Sequence, residues 1–81
     1  MSEVTLLSTF VGVEGSPFKQ YIALSVAKLE FKVHNSGWKG EGKYANVAGN
    51  SKYSATFNDA YKDYVAAVKE ETEKMVSNLG L

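Results

Sequence analysis

TFNDAYKDYVAAVKEETEKMVSNLG, residues 56–80, carries the strongest periodic signal in the chain. Tyr61, Val65, Val68, Thr72, Met75 and Leu79 follow one another at alternating steps of four and three. That spacing predicts one stripe of an amphipathic helix. Lys62, Asp63, Lys69, Glu70, Glu73, Lys74 and Ser77 fall on the other side. Thr56 followed by Asp59 has the form of a capping box, in which the threonine hydroxyl accepts from an otherwise orphan backbone N–H. Asp59 and Asp63 lie near the positive end of the helix dipole. Glu70 and Lys74 stand i,i+4 in the better orientation. Gly80 can take the left-handed conformation that closes a helix. The 4-3 stripe also suits a coiled-coil seam, so Tyr61, Val65, Val68 and Met75 are candidate contacts with a second copy. A little over two heptads is short for a free-standing coiled coil, and docking on the chain's own sheet is the expected use.

Upstream residues supply that sheet. EVTLLSTFVGV, Glu3 to Val13, is rich in β-branched and aromatic residues and reads as a strand. Leu6, Ser8 and Phe10 point one way, and Leu7, Thr9 and Val11 the other. Apolar residues on both faces imply a strand covered on both sides, by the helix and by a second copy. Glu14-Gly15-Ser16-Pro17 is a turn by composition. FKQYIALSVAKLEFKVH, Phe18 to His34, admits two readings. As a strand, Ile22, Leu24 and Val26 line one face, and Leu29, Phe31 and Val33 resume after a one-residue slip near Ala27, as at a β-bulge. As a helix, Ser16 would cap it, Pro17 would start it, and Phe18, Ile22, Val26, Leu29 and Val33 would share a face. The strand reading is adopted, because Leu29 to Val33 alternates and Leu24 and Phe31 would leave a helical face. NSGWKGEGKYANVAGN, Asn35 to Asn50, is punctuated by glycine and reads as a long loop or loose hairpin, with a short strand at Lys43 to Val47. SKYSATF, Ser51 to Phe57, is a short strand or the run-in to the helix.

Composition limits what the chain can be. With 81 residues it is one domain, spanning residues 1–81. A domain of this size buries only ~60–65% of its unfolded surface, so its core is thin. A hydrophobic content of 44% is enough to fold, but association would be a natural source of further stability. There is no cysteine, hence no disulfide or thiolate site, which suits the cytoplasm. No apolar run approaches the ~20 residues of a membrane span, and no basic segment precedes the first apolar stretch, so neither a membrane helix nor a signal peptide is expected. Net charge is zero, yet residues 18–53 hold six lysines against Glu30 and Glu41, while both ends are acidic. All nine basic residues are lysine. The lack of arginine counts against base-specific reading of nucleic acid.

The sharpest local motif is GWKGEGKY, Gly37 to Tyr44, which matches G-x-x-x-x-G-K of a phosphate-binding loop. Tyr44 stands where a Ser or Thr should hold magnesium. The following YANVAGN is a poor helix, Glu41 adds a like charge, and the chain is too short for the parallel α/β domain such loops need. A glycine-rich turn is the plainer explanation. The same region interleaves lysines and aromatics at Trp38, Lys39, Lys43, Tyr44, Lys52 and Tyr53. These are candidate contacts with a protein partner, or with a phosphate ligand or single-stranded nucleic acid through loop 36–53. The plainer alternative is that Trp38 and Tyr44 fold back over the edge of the core. His34 is the lone histidine, read as a strand-end residue bonded to backbone, and no metal site is expected. Ser16-Pro-Phe-Lys19 and Ser36-Gly-Trp-Lys39 share the S-x-x-K form by chance, and no catalytic constellation or cofactor motif is read. Asp59, Asp63, Glu70, Glu71 and Glu73 read as a solvated helix face.

These readings converge on an α+β domain. It has an antiparallel sheet of about three strands with the long C-terminal helix packed on one face. The expected function is that of a small non-enzymatic binding protein, adaptor or inhibitor in type, acting through protein–protein contact as a homo-oligomer.

Overall fold

A computed structural model of the chain describes residues 3–12, 19–37 and 50–80. Four strands and one helix follow in order: β1 (Val4–Gly12), β2 (Lys19–Ala27), β3 (Glu30–Gly37), β4 (Asn50–Ser54) and α1 (Phe57–Asn78). The strands form one antiparallel sheet in the order β1-β2-β3-β4, and α1 crosses all four. The architecture is the expected α+β one, with four strands where about three were expected.

The extra strand comes from the ambiguous middle. Lys19–Ala27 and Glu30–Gly37 are both strands, and the slip near Ala27 is a chain reversal and not a bulge. Ala27 pairs with Glu30, and the two residues between them, Lys28 and Leu29, have φ of 51° and 68°. Two left-handed residues in a two-residue loop are what the right-handed twist of a hairpin demands, and that conformation normally selects Asn-Gly. A lysine and a leucine hold it here at a steric cost of ~1–2 kcal/mol each. The bulge lies elsewhere, in β1, where the register shifts between Thr5 and Leu7.

Directly paired residues share a face, so the register sorts the side chains. Leu7 opposes Leu24, Thr9 opposes Ile22, and Leu24 opposes Val33. Ile22 and Leu24 are wholly buried, and with Val11, Val33 and Ala60 they form the core under α1. Each of the four larger side chains contributes roughly 1.5–3 kcal/mol by leaving water, and the Ala60 methyl about 0.8 kcal/mol. Phe31, Tyr64, Ala67, Val68 and Met75 pack around this cluster.

The helix begins and ends as its sequence implies. Thr56 is the N-cap, and its Oγ1 accepts from the Asp59 backbone N–H at 3.2 Å. Leu79 is the C-cap, and Gly80 follows at φ 75°. Its seat is rotated from the expected stripe. Ala60, Tyr64, Ala67, Glu71 and Met75 face the sheet, while Tyr61 and Val65 are each 46% exposed. Small side chains at 60 and 67 let the helix backbone lie close to the sheet, and the bulky residues next to them ride on its flank.

Candidate interaction surface

At 3.6 residues per turn, α1 has two flanks on either side of its seat. One carries Asp63, Ala66 and Glu70 and faces β3 and β4. There it borders a shallow 160 Å³ cleft shared with Asn35, Asn50 and Lys52. Ser54 Oγ donates to Asp63 Oδ2 at 3.4 Å. Under this flank Glu71 is buried, contrary to its reading as part of a solvated face. It accepts from Asn35 Nδ2 at 2.8 Å, and Lys74 Nζ stands 3.8 Å from its Oε2. Asn35 Oδ1 is buried with no hydrogen-bond partner among the described residues.

The other flank is apolar. Phe57, Tyr61 and Val65 lie along it, all exposed. Phe31 meets Phe57 edge-on at 5.9 Å between centroids, and Phe57 stacks on Tyr61 at 5.7 Å, so the rings form a fixed row from sheet to helix. Val4 closes the same end of the sheet, since it pairs with Val26, which pairs with Phe31. Leu6 and Leu7 of β1 and the turn residue Leu29 are also exposed, Leu29 at 90%.

The sheet face away from the helix is polar at its centre, not apolar as the β1 pattern suggested. Thr5, Ser8 and Ala23 floor a shallow trough of 510 Å³, walled by Phe10 and Tyr21 and by Lys32 and His34. Phe10 and Tyr21 are in ring contact at 4.9 Å. Glu3 folds onto this face, accepting from Ser25 Oγ at 2.7 Å and from Lys32 Nζ at 2.9 Å. The Lys32 and Ser25 hydrogen bonds hold the Glu3 carboxyl below its ordinary value. His34 Nδ1 lies 3.0 Å from Ser51 Oγ. On the helix, partial burial pushes the Tyr64 phenol up.

The residues singled out in the sequence are not brought to one place. Trp38, Lys39, Lys43 and Tyr44 lie outside the described residues, as does the strand expected at 43–47. Lys52 opposes Val33 and borders the cleft under the helix, whereas Tyr53 opposes Lys32 on the far face. Alternation along β4 therefore separates this pair. Of the expected self-contacts, Tyr61 and Val65 are exposed, while Val68 and Met75 pack against the core. Val4 and Leu29 escaped notice as surface because each reads as core material, whereas Leu6 and Leu7 were read as lying on faces covered by the helix and by a second copy. No helix among the described residues is long and apolar enough to cross a membrane. Comparison of the chain with protein families, with curated proteins and with solved structures finds no match.

Proposed function

We propose that this chain is a small non-enzymatic binding protein, adaptor or inhibitor in type, that acts through protein–protein contact and associates with its own copy. One observation carries the reading. Among the described residues six hydrophobic side chains are buried, while eleven large ones are exposed. Scattered single exposures are ordinary. Here exposed Phe57 and Tyr61 join Phe31 in one aromatic row, Phe31 pairs with Val26 and Val26 with exposed Val4, and contiguous apolar patches mark contact surfaces. The aromatic row is the kind of rigid anchor that dominates interface energetics. The cysteine-free composition suits work in the cytoplasm.

The test compares the wild-type chain with a Tyr61→Ser, Val65→Ser double variant. Sedimentation analysis and capture on the immobilised chain should show association that the variant loses by at least about tenfold. A wild-type chain that sediments as a monomer and retains the same proteins as the variant would sink the proposal.

A further inference from the structure

The exposed edge of β1 is the least guarded backbone among the described residues. Residues 4–12, VTLLSTFVG, contain no charge and no proline. Open edges are usually protected by lysine, proline, shortness or a bulge. The opposite edge follows that rule, since β4 has five residues and carries Lys52. Among the described residues the one guard on β1 is the bulge between Thr5 and Leu7, and the pairing with β2 from Leu7 to Gly12 is regular.

We infer that β1 pairs antiparallel with β1 of a second copy, joining two four-stranded sheets into one of eight strands with both helices on the same side. This rests on the protein-contact reading above and gives its partner and its geometry. Identical antiparallel strands are related by a two-fold axis perpendicular to the sheet, which keeps helix side with helix side. Leu7, Thr9 and Val11 must then face Leu7, Thr9 and Val11. The register that uses the regular stretch sets Thr9 against Thr9 of the second copy, Leu7 against Val11, and Ser8 against Phe10. Apolar meets apolar beneath the helices, a ring meets a small residue on the open face, and a threonine pair sits on the axis.

Charge and area agree with a second copy as the occupant. A two-fold axis brings each group near it against its own twin, so a charge there would repel itself. None lies within β1, and Glu3 beyond its end is bonded to Lys32. On β1 itself Val4, Leu6 and Leu7 are 55%, 44% and 36% exposed, apolar area of the kind a stable interface draws on at ~800 Å² from each partner. The β1 backbone edge and Phe10, 55% exposed, supply further area at the same seam.

The chain has no cysteine, so single cysteines report the geometry directly. Under mild oxidation Thr9→Cys should give a disulfide-linked dimer of twice 8.8 kDa, while Ser51→Cys on β4 should not. Leu7→Lys should weaken self-association by at least about tenfold. Val65→Lys, on the helix and outside the strand, should do the same with an unchanged circular dichroism spectrum, which covers the case where Leu7→Lys fails to fold. A dimer whose Thr9→Cys links no faster than Ser51→Cys overturns the edge pairing but leaves protein contact standing on the Tyr61 and Val65 variants. A monomer at the highest soluble concentration overturns the pairing outright.

Discussion

On the β4 side of α1, Asp63 and Glu70 look across a cleft at Asn50 and Lys52. On the other flank Phe57, Tyr61 and Val65 are apolar and exposed, and β1 at the sheet edge carries no charge. The same helix rests on the same sheet, yet one flank is finished for water and the other is not. A surface intended for solvent would carry the polar pattern twice. The difference teaches that the thin interior is not merely small: apolar side chains that could have deepened it stand exposed, on that flank of the helix as well as at Phe10 and Tyr53 on the far face of the sheet.

The largest expected effect tests whether β1 belongs to the interior. Leu24 is wholly buried, and Leu24→Ala should cost about 2–5 kcal/mol in urea melts. Its partner in the pairing, Leu7, is 36% exposed, and Leu7→Ala should cost about 1 kcal/mol in dilute solution. Equal losses would break the comparison, because the two flanks would then cover equally buried strands. A Leu7→Ala cost that grows with protein concentration would sharpen it.

The next effect concerns the polar seat between the flanks. Glu71→Ala leaves Asn35 Nδ2 buried without its acceptor, and about 1–3 kcal/mol should be lost. Replacing both, Asn35→Val with Glu71→Leu, should recover most of that loss, since an apolar pair needs no hydrogen bond. A silent Glu71→Ala in thermal melts would mean that this carboxylate belongs to water after all.

At the apolar end, Lys28→Asn with Leu29→Gly supplies the residues the left-handed turn prefers and should raise stability by about 1–2 kcal/mol. If Leu29 is part of the contact surface, the stabilised variant should also associate more weakly, as measured by sedimentation. The smallest effect is at Glu3, which is largely exposed. Its carboxyl is held low by Lys32 and Ser25, so its contribution is fully present above the ordinary value of 4.5. That contribution is lost as pH falls below 4.5 through the lowered folded value. Glu3→Gln should flatten the stability curve in that acid window alone, and a change at neutral pH as large as that of Leu24→Ala would show that β1 is tied down by this ion pair.

Much of the fold was legible because its signals are local. Thr56 caps the helix through the bond its position implies, and Gly80 follows the end in the left-handed conformation. Alternation assigned the two faces of β1 from Leu7 to Val11, but the bulge between Thr5 and Leu7 breaks it at the start of the strand, so that Thr5 shares a face with Ser8 and Phe10. What escaped depended on packing. Bulky residues marked the helix stripe, but the seat includes the two alanines at 60 and 67 and leaves Tyr61 and Val65 exposed. Glu71 looked solvated because its partner, Asn35, lies on a strand that no helical pattern can point to. The turn at Lys28-Leu29 carried no glycine or asparagine, so the reversal looked like a bulge. Lys52 and Tyr53 were grouped by sequence adjacency, which in a strand is the one spacing that sends neighbours to opposite faces.

A reversal built on two residues that resist their own backbone angles is a poor place for a chain to start. Closing a two-residue loop is ordinarily the quickest event available to a sheet, but here it begins uphill. The capped terminal helix carries no such handicap. We therefore expect the β2–β3 hairpin to be a late event, held together by the helix that lands on it. Substitutions at Lys28 and Leu29 should then alter the unfolding rate and leave the folding rate nearly untouched in stopped-flow experiments. A refolding rate that climbs in step with stability would instead make the hairpin the nucleus.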